Sequence, residues 1–331
     1  MTDESSPRPR LPSPVLGRRA AGMAALSLVL PALRPGRARA QAQDTGVVLV
    51  PGPEDAAPAR WASRAAAALS RGLHRPGALR LSHLGGPDGV TAANRFATLE
   101  GAESVRFLAL PGWACHVRLT GATRARFEPG AWIPLLVSWH GAVLAGRGPL
   151  NARGPAPLRV AIPSPDSPEA AALAALDLLG IPARPVPGMA EAAFAAGEAD
   201  ALIVSGADPV ARASMLGATP WCALGQVGEG EAGELPVLTG EPSSLRGVLA
   251  AAAGMQMRAA LVMPPLTPAD TLAAWRRAAL RWQEEERSQP GEGHALTGTA
   301  AAAAFALAVP PPDATLTYRS WLERRLGWRA A

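Results

Sequence analysis

The sequence predicts an α/β fold of two lobes, each built on a mainly parallel β-sheet. Three observations lead to this prediction. From Thr45 onward, short apolar runs alternate with alanine-rich stretches of helical length, which is typical of βα units. Turns rich in glycine and proline follow several of the apolar runs. A long apolar stretch over residues 131–146, followed by a Gly/Pro/Arg linker, divides the series into two halves.

In the first half, the apolar runs end at polar turns. The predicted strands cover residues 47–50, 78–84 and 105–110, and the predicted helices cover 58–71 and 90–99. Two turns follow the first two strands, Pro51-Gly52-Pro53 and Gly85-Gly86-Pro87-Asp88-Gly89. Because open α/β sheets bind ligands at the carboxyl ends of their strands, both turns are candidate binding segments.

The second half repeats this organisation. Ser167 before Pro168 and Glu169 predicts a helix start, with the serine hydroxyl as the cap. The predicted strands are 158–162, 201–204, 221–224 and 258–263, and the predicted helices are 168–179, 208–216, 243–253 and 267–287. The last of these helices has Leu272, Trp275, Ala279 and Trp282 on one face, which predicts that it packs on the rest of the fold.

The first forty residues have the features of a cleaved export signal. Four arginines precede an apolar run from Ala20 to Leu33, and Ala38-Arg39-Ala40 is a small-x-small cleavage pattern. The run is shorter than the roughly 20 residues of a membrane-spanning helix, and Pro31 interrupts it, which disfavours the alternative of an uncleaved anchor. We therefore expect cleavage near Ala40 and a periplasmic protein. The Arg18-Arg19 pair leaves both the twin-arginine and the general export route open.

Most of the basic character lies in that same segment. The chain has 32 basic residues, all of them arginine, and 27 acidic residues. Residues 1–40 contain seven of the arginines and two of the acids, so residues 41–331 contain 25 of each sign. A neutral protein lacks the basic surface that binds nucleic acid, and we expect no nucleic-acid partner. The absence of lysine also excludes a Walker phosphate loop and a lysine Schiff base.

No motif favours a catalytic or metal site. The sequence has no GxSxG nucleophile elbow, and its five histidines lack metalloprotease spacing. The segment Gly228-Glu229-Gly230-Glu231-Ala232-Gly233 fits GxGxxG, but its glutamates would face a pyrophosphate, so we interpret it as a loop. We assign no catalytic residue, no metal and no cofactor.

Cys115 and Cys222 are the two cysteines of the chain. An oxidising compartment would permit one bridge between them, but they lie more than a hundred residues apart, in different predicted lobes. The favoured interpretation is two unpaired, buried thiols.

Polar turns at strand ends, with helix amino termini behind them, are the features that remain. Main-chain N–H groups at such positions attract anions without a cationic side chain. Trp113, which follows a predicted strand, is suited to stack on a ligand. This arrangement indicates binding and not catalysis.

Four segments, taken together and in this order, resemble the extracytoplasmic solute-binding proteins of tripartite tricarboxylate transporters, the Bug or TctC-like family. Residues 84–97 (LGGPDGVTAANRFA) resemble the glycine-rich turn and helix of the family. Residues 127–135 (FEPGAWIPL) resemble its aromatic-Asp-Pro segment. Residues 233–237 (GELPV) and 260–270 (ALVMPPLTPAD) resemble a later Leu-Pro segment and the strand, turn and helix start that follow it.

The resemblance implies a two-lobed clamshell of the type II-like periplasmic-binding-protein fold. It implies a monomer without enzymatic activity, which holds a small organic carboxylate between the lobes and partners with membrane transporter subunits. The first lobe would comprise residues 41–140 and 259–331, and the second lobe residues 141–258. We expect the lobes to close about hinges near 138–141 and 254–258.

The resemblance also implies where the ligand binds. The first strand–helix turn of each lobe would contact it: residues 51–56, here called the first turn, and residues 164–167, the second turn. The predicted ligand-binding residues are Gly52, Pro53, Glu54, Asp55, Gly85, Gly86, Trp113, Ser164, Asp166, Ser167, Ser205 and Asp208.

Both turns depart from the family pattern. In the first turn, Gly52 replaces a Gly-Gly pair, and Glu54 and Asp55 follow it. In the second turn, Pro165 removes an N–H donor and Asp166 adds a negative charge. Two alternatives therefore stay open beside a carboxylate receptor: a clamshell repurposed as a sensor or interaction protein, and, less favoured, an exported α/β enzyme.

Overall fold

The computed structural model describes residues 46–73, 79–99, 105–152, 154–225, 235–289 and 293–330. These residues form two β-sheets with helices on both. The first sheet contains β1 (Gly46–Pro51), β2 (Leu79–Leu84), β3 (Val105–Leu110), β4 (Ile133–Trp139), β10 (Met257–Met263) and β11 (His294–Thr297), in the order β11-β4-β10-β3-β1-β2. The second sheet contains β5 (Gly141–Gly146), β6 (Leu158–Ile162), β7 (Ala183–Pro187), β8 (Ala201–Gly206) and β9 (Thr219–Ala223), in the order β7-β6-β8-β5-β9.

Ten α-helices occur in the described residues. They are α1 (Ala57–Gly72), α2 (Val90–Ala97), α3 (Gly112–Leu119), α4 (Ala170–Leu178), α5 (Ala190–Ala195), α6 (Pro209–Met215), α7 (Pro242–Gln256), α8 (Ala269–Arg287), α9 (Gly298–Ala308) and α10 (Pro312–Leu326). The predicted export signal at 1–40 and the predicted loop at Gly228–Gly233 lie outside the described residues. None of the described helices is long and apolar enough to span a membrane.

The α/β class and the two-sheet organisation are confirmed, and both sheets are mixed. β1 runs parallel to β2 and β3, and β6 runs parallel to β7 and β8. β10, β4 and β11 pair antiparallel in the first sheet, as do β5, β8 and β9 in the second. The reason is the path of the chain. The first strand after each crossing, β5 in the second sheet and β10 in the first, runs opposite to the strands of the βα units.

The chain passes between the sheets at two adjacent points. β4 ends at Trp139 in the first sheet, and β5 begins at Gly141 in the second. The chain returns where α7 ends at Gln256 and β10 begins. The His140 N–H donates to the Gln256 carbonyl over 2.7 Å, so the two crossings lie side by side. They fall within the two ranges that the sequence predicts as hinges.

Large aromatic residues fill both faces of the first sheet. On one face, Trp61 of α1 and Trp282 of α8 meet edge to face at 6.1 Å. Trp275 of α8 packs on Phe107 of β3. The predicted apolar face of this helix is confirmed, because Trp275, Ala279 and Trp282 are all buried. The opposite face is covered by α2, α3 and α9.

Helix α7 lies between helices of the two sheets. Its buried residues are mostly alanine and glycine, and it packs on α3 beside the first sheet and on α4 beside the second. A Cβ atom at Gly112 would lie 2.5 Å from the Met257 carbonyl oxygen, and one at Gly254 would lie 2.8 Å from His116 Cβ. Because no side chain separates them, α3 and α7 approach backbone to backbone. Helix α10 packs on α7, and its Trp321 indole donates to Asp177 of α4 over 2.9 Å.

Candidate ligand-binding site

The first turn lies at the carboxyl end of β1 and is open to solvent. Gly52 has a φ of +76°, and a Cβ there would lie 3.1 Å from the Pro87 backbone, so glycine permits the turns after β1 and β2 to touch. The Glu54 side chain is 89% exposed, with its Oε1 4.0 Å from His83 Nε2. Pro53, Asp55 and Gly86 are also exposed, and Gly85 packs against Thr91. The structure thus gathers these predicted residues at one edge of the first sheet.

The second turn is held by hydrogen bonds. Ser164 Oγ donates to Asp166 Oδ1 over 2.6 Å, and the Ser167 N–H donates to the Ser164 carbonyl over 2.9 Å. The main-chain carbonyl of Asp166 accepts a hydrogen bond of 2.8 Å from His116 Nε2. Because His116 belongs to α3, this bond ties the second turn to a helix that packs on the first sheet.

His116 is a neutral side chain at the centre of this contact. It has no exposed surface. Burial lowers the pKa of its imidazole from 6.5 to about 4, although the Asp166 carbonyl, the Asp166 charge and the Ala251 carbonyl act in the opposite direction. The proton therefore resides on Nε2, where the carbonyl accepts it. Trp113 is 41% exposed, and its ring lies 5.9 Å from the His116 ring, so Trp113 lies beside the same contact.

A cavity of about 430 Å³ lies on the second lobe, against both crossings. Its volume falls in the range of small-molecule sites. Its walls come from β8, from the two crossings and from the segments that follow β6, β7 and β8. Open α/β sheets bind ligands at such strand ends. The lining residues are His140, Glu169, Met189, Ala190, Glu191, Ile203, Ser205, Arg212 and Met255.

Two polar side chains of the cavity have defined partners. Arg212 Nη2 lies 2.7 Å from Glu191 Oε1, and Arg212 Nη1 donates to the Ser205 carbonyl over 3.0 Å. Ser205 Oγ donates to the Met255 carbonyl over 3.4 Å. Glu169 differs from them, since its Oε2 is buried and has no hydrogen-bond partner among the described residues.

The structure gives Asp208 a role in capping a helix and does not give Ser167 the capping role that the sequence predicted. Asp208 Oδ1 accepts a 2.9 Å hydrogen bond from the Ala211 N–H, so its side chain caps α6. The prediction that Ser167 caps a helix starting at Pro168 is wrong. Helix α4 begins at Ala170, because the N–H groups of Ala170 and Ala171 bond instead to the carbonyls of Ser167 and Pro168.

Of the cavity residues, the sequence predicted only Ser205 as a ligand contact. The others were missed because the cavity depends on contacts between distant segments. Strand β7, which leads to Met189 and Glu191, has the sequence Ala-Arg-Pro-Val-Pro and was not predicted, since two prolines are atypical of a strand. Its edge position, paired with β6 alone, accommodates them. The position of Glu169 just before α4 was the available signal.

The two cysteines are buried thiols. Cys115 and Cys222 are both buried and unpaired, which confirms the favoured interpretation. Burial raises the pKa of Cys115 to about 12 and that of Cys222 to about 11, so both thiols stay protonated at neutral pH. Within the described ranges, no group of three or more His, Cys, Asp and Glu side chains is arranged to hold a metal ion.

Comparison with known proteins gives a likeness of fold. No protein-family model matches the chain. No curated protein matches it in sequence. Among solved structures, a TctC solute binding protein from Polaromonas superposes with a TM-score of 0.62 over 85% of this chain and 98% of that one, at 16% identity.

Two further structures match less closely. A protein of R. palustris, in a structure with adipate, covers 87% of this chain and 98% of its own, with a TM-score of 0.49 and 14% identity. MatC of Rhodopseudomonas palustris with bound malate covers 86% and 96%, with a TM-score of 0.40 and 16% identity. At such identities the likeness concerns the fold, and the Polaromonas structure carries it. In fold, this chain is therefore similar to a TctC solute binding protein.

Proposed function

We propose that this chain is a periplasmic solute-binding protein, which holds a small organic carboxylate between its lobes for a transporter of the tripartite tricarboxylate type. The observation that carries the proposal is the cavity at the carboxyl ends of β6, β7 and β8, which includes His140 and Met255 from the two crossings. A ligand in that position contacts both the second lobe and the segments about which the lobes would turn. Binding would therefore be coupled to lobe closure.

The boundaries of the lobes belong to the same proposal. Residues 41–140 and 259–331 form the first lobe, and residues 141–258 form the second. After export and cleavage near Ala40, the protein acts as a monomer and delivers its ligand to membrane subunits of the transporter.

The lining of the cavity supports binding without catalysis. A serine nucleophile needs a base within hydrogen-bond reach. Here Ser205 Oγ donates to a main-chain carbonyl, although His140 lines the same cavity. We accordingly propose that the protein is not an enzyme.

A specific observation favours the second candidate, a clamshell repurposed as a sensor or interaction protein. Glu54 and Asp55 are exposed on the first turn, and Asp166 lies on the second. A carboxylate ligand that contacted both turns would meet these like charges. Under this alternative, carboxylates would not bind.

Thermal-shift screening of the secreted protein tests both candidates. Dicarboxylates, aromatic acids, amino acids and amines are the probes. A ligand that binds only the folded state stabilises it, by about 2.7 kcal/mol at a hundred times its dissociation constant. The proposal predicts a dose-dependent rise in Tm with one class of carboxylic acid. A flat response to every acid would overturn it in favour of the repurposed clamshell.

A pair of variants locates the binding site. Ser205→Tyr fills the cavity and is expected to abolish the rise in Tm. Ser214→Tyr places the same side chain on the exposed surface of α6, and it should leave the rise unchanged. Equal responses of the two variants would show that the ligand binds elsewhere.

A further inference from the structure

One of the two carboxylates that line the cavity has no ion-pair partner among the described residues. Glu191 and Arg212 form an ion pair at 2.7 Å, and Arg212 also donates to the Ser205 carbonyl. Glu169 has no ion-pair partner among the described residues. The guanidinium is therefore already engaged, and one carboxylate at the cavity wall lacks a counter-charge.

Burial makes this imbalance significant. Glu169 Oε2 is buried without a hydrogen-bond partner among the described residues. Ser167, two residues earlier, is only 5% exposed, and its hydroxyl oxygen likewise has no partner in that part of the chain. Buried polar groups in proteins are nearly always hydrogen-bonded, and a buried carboxylate without a partner is especially costly. The segment from Ser167 to Glu169 thus has hydrogen-bonding capacity that the described fold does not use.

The rest of the wall suits a carbon skeleton. Met189, Ile203 and Met255 line the cavity beside the polar groups. Methionine side chains adapt to ligands of different shape and have polarisable sulfur atoms. The cavity therefore combines an apolar wall with a hydrogen-bond acceptor of negative charge.

We infer that this cavity takes the ammonium group of its ligand, with the Glu169 carboxylate as the counter-charge. The ligand is then an amino acid or another amine-bearing organic acid, and not a simple dicarboxylate. This inference rests on the proposed function and specifies the ligand class of the same site. An ammonium group would donate charge-assisted hydrogen bonds to Glu169, whereas a ligand carboxylate at that point would add a second negative charge.

Four compounds with the same four-carbon length test the inference: succinate, butyrate, 4-aminobutyrate and butylamine. Their dissociation constants are measured calorimetrically with the secreted protein at one ionic strength. We expect the two amines to bind at least tenfold more tightly than butyrate and succinate. The same series at two other chain lengths, together with the common amino acids, shows whether weak binding of the four-carbon compounds is caused by their length.

Variants assign the preference to Glu169. Glu169→Gln keeps the shape of the side chain and should weaken amine binding at least tenfold. Glu198→Gln removes an acid from an exposed position outside the cavity, and it should leave binding unchanged. The ranking of ligands by the wild-type protein is decisive by itself, so the test does not depend on the folding of Glu169→Gln.

The outcomes separate the two proposals. If succinate or butyrate binds most tightly, or if Glu169→Gln leaves amine binding intact, the inference about the ammonium group is overturned and solute binding stands. If no carboxylic acid, with the amino acids included, binds at any length, the proposed function itself fails, and the inference, which rests on it, fails with it.

Discussion

The first turn follows β1 and the second turn follows β6, so the two occupy equivalent places in their sheets. They differ in the contacts that hold them. The first turn carries an 89% exposed glutamate, Glu54, whose Oε1 lies 4.0 Å from His83 Nε2. The second turn has a serine–aspartate hydrogen bond of 2.6 Å, and its carbonyl accepts from the buried His116 of the other lobe. One turn is open to solvent, and the other is tied into the contact between the lobes.

This difference shows where substitutions should matter. Exposed charges are screened by water and salt, so the acids of the first turn contribute little to stability. The second turn combines a buried imidazole with the close approach of α3 and α7, and its partners cannot be replaced by water. We expect both the arrangement of the lobes and the ligand preference to depend mainly on the second turn and the cavity beside Glu169.

The largest expected effect is a dependence of stability on pH through His116. Its pKa is lowered to about 4 in the folded protein, from an ordinary value of 6.5. Between these values the unfolded chain binds a proton that the folded protein does not bind, so stability is lost as the pH falls from 6.5 to 4. The total loss is about 3 kcal/mol.

Urea unfolding at pH 7 and pH 4 measures this loss. His116→Gln retains a donor for the Asp166 carbonyl but does not titrate. Other groups titrate in both proteins. The contribution of His116 is therefore the difference between the two proteins in how much the free energy of unfolding changes from pH 7 to pH 4. An identical change in the free energy of unfolding in the wild type and in His116→Gln would contradict a buried neutral imidazole at this position.

The next effect concerns the approach of α3 to α7. Gly112→Ala places a Cβ 2.5 Å from the Met257 carbonyl oxygen and 2.8 Å from that of Ala253. We expect a loss of about 2 kcal/mol in the free energy of unfolding, typical of overpacking. Gly86→Ala, beside the open first turn, is the matched control. Its new Cβ would lie 3.7 Å from the nearest atom, and the change should stay within about 0.5 kcal/mol. Equal losses of stability in the two variants would show that the contact of α3 with α7 is no more sensitive to substitution than the exposed first turn.

The smallest effect compares the two turns directly. Ser164→Ala removes the donor to Asp166 Oδ1 and should cost about 1 kcal/mol of stability, as expected for one hydrogen bond to a charged group that is partly exposed. Glu54→Gln, in the first turn, should change the free energy of unfolding by less than about 0.5 kcal/mol. Both values come from equilibrium unfolding at neutral pH. A larger effect of Glu54→Gln than of Ser164→Ala would reverse the comparison.

Much of the fold could be predicted because local pattern determines it. The apolar run at 47–50 became β1, the alanine-rich stretch at 58–71 became α1, and the tryptophan-bearing helix at 267–287 became α8 with its predicted face buried. The antiparallel strands were not predicted, because strand direction depends on the path between the sheets. The long apolar stretch at 131–146 predicted where the chain crosses between the sheets. It did not predict that the stretch divides at His140 into two strands, β4 and β5, of different sheets.

The site was less accessible to sequence reasoning. The family resemblance predicted that the two turns contact the ligand, and in the structure the residues of each turn lie close together. The cavity depends instead on Met255 and His140 at the two crossings, and on Glu191 after an unpredicted edge strand. These residues are far apart in sequence and belong to no motif. The unpartnered carboxylate oxygen of Glu169 becomes evident only when its surroundings are known.

Methionine methyl NMR shows whether a solute binds in this cavity beside the crossings. Met189 and Met255 line the cavity, whereas Met215 is 80% exposed on α6 and does not. With a ligand that raises the Tm, we predict saturable shifts of the Met189 and Met255 methyl resonances and an unchanged Met215 resonance. Saturable binding that leaves both cavity methionines unperturbed would show that the solute binds outside the cavity.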